Sequence, residues 1–455
     1  MKPLRPAKVW HVIRATNRTR AMLVVAATLV AAAFITPAGA APVPAATAVF
    51  LVLLIVVSRA SLNTQVGVVG FLKVKRIINK PLVSGKPAVV RVVLGNDSLI
   101  PLELVEVFIP YPRVFRRVKG SSTSLITVPP KSSVEVSLEL IPRVGEHVFE
   151  PVKLVLRDVL GLFKFEANVT SREVVRVLPA LEVVKALGVT YASRPGELSR
   201  TRRKGRGVEF YGVREYVPGD EYRRIEWKAS ARHGMRKLFV KEFEHEVSLN
   251  IFLILETSLF MLSGGWGRTP LEYSVKAAAS IAAYALRRGD SVAVIHRFVD
   301  RPALVRGRKS LLRVIDDVSR LPWDAILTSP DIRLRDIILR KLMPALPRER
   351  NVIVIFTILY GGINEAKEIV EVASKLRALG NTVMVIVPMV EAFEAKTLEG
   401  IEAAVYRLRS MGMLKSKMEG IKLLLRHGIP TVTALPSEIT DIVIAKLESI
   451  RSSMT

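Results

Sequence analysis

Residues 205–241 read GRGVEFYGVREYVPGDEYRRIEWKASARHGMRKLFVK, and this run sets how the rest of the chain divides. Pro218-Gly219 suits the two central positions of a type II turn, since proline presets φ and glycine accepts a positive φ. Asp220 then stands where a helix N-cap is expected, and Glu221 adds negative charge to a first turn. Residues 221–233 have helical composition, with Tyr222, Ile225 and Ala229 on one stripe, and Gly234 suits the position just past a helix end. Cationic side chains are dense: Arg200, Arg202, Arg203, Lys204 and Arg206, then Arg214, Arg223, Arg224, Lys228, Arg232, Arg236 and Lys237. Arginine forks bind carboxylate or phosphate bidentately, which allows two readings. The segment is a docking face for an acidic or nucleotide-bearing partner, or Arg214, Arg223 and Arg232 pair with Glu215, Asp220 and Glu226 to lock it against the next domain. Trp227 reads as a packing anchor.

The chain changes character on either side of this run. Residues 67–180 carry short Val-, Leu- and Ile-rich stretches such as AVVRVVL (88–94), ELVEVFI (103–109) and SVEVSLELI (133–141), separated by Gly95-Asn96-Asp97, Pro129-Pro130 and Val144-Gly145. Val134, Val136, Leu138 and Leu140 alternate with polar residues, the period of a half-buried strand, so six to eight strands in an antiparallel β-sandwich are expected. After residue 247, apolar runs at 249–255, 291–298, 351–358, 382–387 and 429–434 alternate with helical stretches at 271–288, 310–321, 331–342, 364–379 and 391–427. Continuous apolar strands alternating with helices predict a parallel, doubly wound sheet with its functional crevice outside the strand C-terminal ends.

Residues 21–58 contain no charge. As one helix they would extend about 57 Å, too long for a ~30 Å hydrocarbon core, and Pro37, Gly39, Pro42 and Pro44 break the run. Two spans are expected, at 21–36 and 43–58, within residues 21–60. Lys2, Arg5, Lys8, Arg14, Arg18 and Arg20 precede the first span, Arg59, Lys73, Lys75 and Arg76 follow the second, and the connecting loop is uncharged. The positive-inside rule then puts both ends in the cytoplasm, with residues 1–20 as a basic N-terminus. A cleaved signal peptide ending near TPAGA (36–40) is the competing reading, disfavoured by the second apolar run.

The 455 residues exceed one ordinary core. With no cysteine there is no disulfide framework, thiolate metal site or cysteine nucleophile, and Gln65 as the single glutamine gives a thermophile-like composition. Sixty-eight Lys and Arg against 41 Asp and Glu give a formal net charge of +27, which suits an anionic partner or a membrane-proximal surface. SGGWGRT (263–269) lacks the spacing and lysine of a phosphate-binding loop, Glu244-His245-Glu246 has no second histidine four residues on, and the histidines are dispersed. No catalytic residues are assigned.

Gly207, Phe210, Arg214, Glu215, Tyr216, Pro218, Gly219, Asp220, Arg223, Trp227, Lys228, Ala231 and Arg232 together resemble the signature of the family known as domain of unknown function 58. RDVLGLFKF (157–165) resembles the same family's strand-to-loop element. The resemblance implies a signature segment at 186–246 followed by a von Willebrand factor A-like domain at 247–455. Such a domain would carry an Asp-x-Ser-x-Ser metal-ion-dependent adhesion site after its first strand. Here the aligned run is Glu256-Thr257-Ser258-Leu259-Phe260, where only Ser258 matches, so no Mg²⁺ or other cofactor is expected. The resemblance further implies association with MoxR-type AAA+ ATPases. The expected function is a membrane-anchored, non-enzymatic scaffold or adaptor that binds such a protein partner through the signature residues. The alternatives are a membrane-associated hydrolase, for which Glu256 is the one obvious acid, or a binder of anionic polymer, nucleic acid or lipid.

Overall fold

A computed structural model describes residues 13–37, 40–181, 204–232, 237–244, 248–329, 332–389, 400–435 and 437–454. The chain forms two units, residues 1–177 and 178–455.

The first unit begins with strand β1 (Arg14–Ala15), then helix α1 (Asn17–Ile35) and helix α2 (Pro42–Val69), each long and apolar enough to cross a membrane. Pro42 and Pro44 do not break α2 but open it, since the first turn of a helix has no use for those amide donors. The helix also departs from the expected span at 43–58 by continuing to Val69. Charge at Arg59 ends an apolar run, but nothing in residues 60–69 stops helical hydrogen bonding. Leu62 and Val68 on this continuation are buried in the core of the strands that follow.

Those strands are β2 (Leu72–Ile78), β3 (Leu82–Val83), β4 (Ala88–Asn96), β5 (Leu102–Phe108), β6 (Arg116–Lys119), β7 (Thr123–Val128), β8 (Ser132–Ile141), β9 (Gly145–Phe149), β10 (Lys153–Arg157), β11 (Phe163–Asn168) and β12 (Glu173–Leu178). They make sheets in the orders β1-β11-β10-β5-β7, β2-β4-β8-β6 and β3-β12-β9. The alternation read in β8 is realised, and β4 alternates likewise: Val90, Val92, Leu94, Leu138 and Leu140 are buried and share one core with Leu102, Val107, Leu154, Leu156 and Phe165. The five-stranded sheet recruits β1 from the far side of the helical pair, with Arg14 opposite Lys164 and Ala15 opposite Phe163.

The second unit opens with the ribbon β13 (Lys204–Glu215) and β14 (Phe239–Glu244), which enclose the short helix α3 (Trp227–Arg232). A six-stranded sheet follows, built from β15 (Asn250–Leu255), β16 (Ser291–Ile295), β17 (Val305–Arg306), β18 (Asn351–Phe356), β19 (Thr382–Pro388) and β20 (Thr431–Ala434) in the order β17-β16-β15-β18-β19-β20. All its pairings are parallel except β16 with β17, a two-residue edge strand that the sequence pattern did not announce. Helices α4 (Pro270–Arg287) and α5 (Leu311–Ser319) precede a short α6 (Trp323–Thr328) and α7 (Leu334–Ile337), which runs on as a π-turn to Leu342. Then come α8 (Ile363–Ala378), α9 (Gly400–Arg426) and α10 (Ile439–Met454). One face of the sheet packs on α7, α8 and α9 through Phe252, Ile254, Ile353, Ile355, Ile369 and Leu424, while α4, with α5 and α10 against it, covers the other. Every residue of β18 is buried, as a strand covered on both faces requires. The expected strands and helices after 247 are thus present; the start of the helix expected at 391 lies outside the described residues.

The α8–α9 approach is unusually close. A Cβ on Gly420 of α9 would lie 2.9 Å from the Gly362 carbonyl oxygen just before α8. Gly420→Ala is therefore expected to cost ~1–3 kcal/mol through overpacking against backbone, read as a lower midpoint in thermal unfolding. An unchanged midpoint would show the helices stand further apart.

Candidate functional site

Two places carry the sequence-predicted residues. In the signature segment, Gly207 and Phe210 lie on β13, with Phe210 opposite Phe243 across an irregular register. The Asp220 amide donates to the Val217 carbonyl at 3.1 Å, closing the expected turn, with Gly219 at φ +109°.

Asp220 is not a helix N-cap. Its carboxylate receives both Nη atoms of Arg214, at 2.6 and 2.7 Å, and the Val217 amide at 3.0 Å. Those donors, Arg214 first, hold the Asp220 carboxyl below the ordinary aspartate range. Nor do residues 221–233 form one helix. Tyr222–Arg224 make a single 3₁₀ turn, and α3 starts at Trp227. Between them Ile225 is extended, because it forms a β-bridge with Val240 and buries its side chain. The Glu226 amide donates to the Phe239 carbonyl at 2.7 Å, and the Phe239 amide donates to the Ser230 hydroxyl at 2.9 Å. Tertiary pairing with β14 has overridden a helical composition. Gly234 lies outside the described residues.

The pairing expected among these charges exists with different members. Arg214 pairs with Asp220, Arg224 with Glu221 at 3.1 Å, Lys237 with Glu215 at 2.9 Å and Lys241 with Glu226 at 2.7 Å. All four acids of residues 213–232 are thereby used. Arg223, Lys228 and Arg232 are exposed and form no ion pair within 4 Å among the described residues, though Lys228 adds to the positive field that lowers Glu226. Trp227, expected as a packing anchor, is 57 % exposed, and Tyr222 is 72 % exposed. Tyr222 approaches Tyr216 with ring centroids 5.9 Å apart.

The second place is the C-terminal end of β15 and β18. Glu256 and Ser258 leave β15 buried, with the Ser258 hydroxyl donating to Glu256 Oε1 in a short bond and the Ile358 amide donating to Oε2 at 3.3 Å. Thr357, following β18, donates its hydroxyl to Glu365 Oε1 at 2.9 Å, and the Gly361 amide donates to Glu365 Oε2 at 2.9 Å. Leu359 sits in the left-handed region at φ +51°, its amide turned onto Thr357 Oγ1 at 3.1 Å. Burial, then the neighbouring Glu365, pushes the Glu256 carboxyl up to about 7. Glu365 is raised too, by burial first, with Glu368 adding to the rise and Lys417 opposing it. A pair so placed retains a proton near neutrality.

Sequence reasoning missed Thr357 and Glu365, finding no acid in FTILYGG (356–362), where the later strand ends. The acid arrives from the first turn of α8, after Gly361-Gly362, and that helix-start position was the available signal. Where the adhesion-type pattern would have its last hydroxyl, Phe260 stacks on Tyr360 with centroids 3.6 Å apart. Among the described residues no group of three or more His, Asp or Glu is arranged to hold a metal.

Residues 212–397 match the family model described as "Protein of unknown function DUF58", which takes in the turn, α3 and most of the parallel sheet. The DUF58 part of the resemblance is thus supported, over less than half of the chain. A relative from Bacillus subtilis (strain 168), "Uncharacterized protein YeaD", is 32 % identical over 129 residues, 28 % of this chain and 32 % of that protein. The match therefore spans about a third of the relative's length. Among solved structures, a FixG-related protein from Vibrio parahaemolyticus matches 24 % of this chain and 96 % of its own at 10 % identity and TM-score 0.17. A trypsin-activated alpha-2-macroglobulin from Escherichia coli matches 82 % of this chain and 25 % of its own at 12 % identity and TM-score 0.20. Neither TM-score carries an argument about fold.

Proposed function

We propose that this protein is a membrane-anchored, non-enzymatic adaptor that binds a protein partner, a MoxR-type AAA+ ATPase, through its signature segment. In this reading α1 and α2 form a two-pass anchor with both ends in the cytoplasm. The β-rich unit is a β-sandwich, and the six-stranded unit is a von Willebrand factor A-like domain that works without Mg²⁺. The observation that carries the proposal is the charge inventory of the turn and α3. Four internal ion pairs consume every acid and leave Arg223, Lys228 and Arg232 beside exposed Tyr222 and Trp227. Arginine and aromatic side chains are what the energetic centres of protein interfaces favour. Glu256 and Glu365 are a poor start for a hydrolase, because their oxygens are engaged and buried.

The test is affinity purification of the full chain in mild detergent beside an Arg223→Ala/Lys228→Ala/Arg232→Ala variant. These exposed positions, none in an ion pair within 4 Å, should leave stability within about 0.5 kcal/mol, whereas Arg214→Ala would dismantle the turn. An AAA+ ATPase is expected with the parent and ~tenfold less with the variant, a loss of about 1.4 kcal/mol. Equal recovery from both sinks the assignment of the site. Retention of nucleic acid or lipid instead, falling steeply with salt, makes the chain an anionic-polymer binder.

A further inference from the structure

The element at residues 157–165 plays no part in the function proposed above, yet it is elaborately built. Between β10 and β11 the chain turns around Asp158, whose side chain is buried. Asp158 Oδ2 accepts the Leu160 amide at 3.1 Å, Oδ1 accepts the Phe163 amide at 2.6 Å, and its carbonyl accepts the Gly161 amide at 2.9 Å. The loop is then clamped to the start of α1. The Thr16 amide donates to the Leu162 carbonyl at 2.8 Å, the Thr16 hydroxyl to the Gly161 carbonyl at 2.8 Å, and the Thr19 hydroxyl to the Leu162 carbonyl. Gly161 sits at φ +67°, a backbone conformation that L side chains rarely adopt, so a side chain here would strain the turn. This framework buries Leu162 and Phe163 but holds Val159 and Leu160 outward, 77 % and 44 % exposed.

The position of that tip gives it meaning. Arg20 is the last charge before the apolar run of α1, and Arg59 the first after the apolar run of α2. Arg59 lies over the ring of Phe163, 5.6 Å from its centroid, so the tip stands at the level where both apolar runs end. Arg14, Arg18, Arg20 and Arg59 are exposed there, with no carboxylate partner among the described residues. The apolar runs are also short: 15 or 16 residues rise only ~23 Å against a ~30 Å hydrocarbon core, which leaves acyl chain and headgroup around the tip.

We infer that the Val159-Leu160 tip is an interfacial membrane-docking element. Its apolar side chains enter the headgroup–acyl boundary of the bilayer that the helices cross, and the surrounding guanidinium groups engage lipid phosphates. The ligand is the phospholipid surface itself. The inference rests on the membrane anchorage proposed above, and it makes the β-rich unit seated on the bilayer rather than raised above it.

The chain contains no cysteine, so single labelling sites can be introduced cleanly. The full chain would carry Val159→Cys, Val49→Cys or Leu125→Cys, each with a nitroxide, in phosphatidylcholine–phosphatidylglycerol vesicles. Val49 is an exposed position inside the apolar run of α2, and Leu125 an exposed one on the opposite edge of the five-stranded sheet. Collisions with oxygen and with a water-soluble nickel chelate then report depth. The expected result is oxygen access at Val49, nickel access at Leu125, and at Val159 several-fold less nickel access than at Leu125 with raised oxygen access. Nickel access at Val159 equal to Leu125, while Val49 reports lipid, overturns the docking element and leaves the anchor standing. Protection of Val159 from both reagents overturns it in favour of a protein contact. Nickel access at Val49 removes the anchor, and the docking element with it.

Discussion

Replacing Asp290 by alanine should lower the stability of the second unit by about 3 kcal/mol, the low end of the usual cost of breaking a buried ion pair, because Arg451 keeps Glu448. Asp290 is 1 % exposed and ties three elements together. Its Oδ1 accepts the Leu249 amide at 2.9 Å, immediately before β15, and its Oδ2 accepts Arg451 Nη2 of α10 at 2.6 Å. Arg451 also reaches Glu448 at 3.4 Å, and Glu448 accepts from Arg288 at 3.1 Å and from the Tyr284 hydroxyl at 3.1 Å. Without Asp290 the Leu249 amide loses its acceptor and the Arg451 guanidinium loses its nearest carboxylate, keeping Glu448, at the root of the central strand. Calorimetry of Asp290→Ala, Arg451→Ala and the double variant makes the check. The double should cost clearly less than the sum of the singles. A Tm within a degree or so of the parent for Asp290→Ala would mean that the pair is not buried in solution.

The second large effect concerns pH. An unfolded glutamate titrates near 4.5, while Glu256 in the fold is pushed up to about 7, so the folded state holds the extra proton between those values. Its contribution to stability is full below about 4.5 and is lost as pH rises through 7, at ~1.4 kcal/mol per unit and ~3 kcal/mol in all. His296 acts in the opposite direction. Burial first, helped by Lys341 and Arg320, lowers it to about 4, so its neutral form loses stability as pH falls from 6.5 to 4. The two slopes oppose each other in the parent from 4.5 to 6.5 and separate above it. Glu256→Gln removes the first alone. The variant should therefore gain on the parent as pH rises from 5 to 8, approaching ~3 kcal/mol. A parallel pair of stability–pH curves would refute a proton retained on Glu256, and a Tm that rises with saturating Mg²⁺ would replace it by a metal.

What was legible in the sequence followed from local repetition. Alternation in residues 133–141 and continuous apolar runs such as NVIVIF need only near neighbours, and both became strands as read. The turn at Pro218-Gly219 was equally local. Legibility failed where a distant partner decided the outcome. Ile225 left its helical stripe for Val240, and Asp220 turned back to Arg214 rather than forward onto amide groups. Trp227 stayed at the surface because the bridge at Ile225 and the burial of Ser230 already fasten α3 to its ribbon. The pairing of Asp290 with Arg451 spans 161 residues, more than half of the second unit, and no pattern announces it. At the strand ends, Glu256 was visible but Glu365 was not, because the expected motif looks for its acids on strand-end loops.

The recruitment of β1, Leu62 and Val68 into the first unit bears on how the protein is made. Residues on both sides of the helical pair are structural parts of one β-rich body, so that body cannot close until the hairpin is in place. Placement of the helical pair and closure of the β-rich body are therefore coupled steps in the making of this protein. A fragment trimmed to begin after the apolar helices would expose the edge of β11 and leave a hollow where Leu62 packs, and it would self-associate rather than stay monomeric.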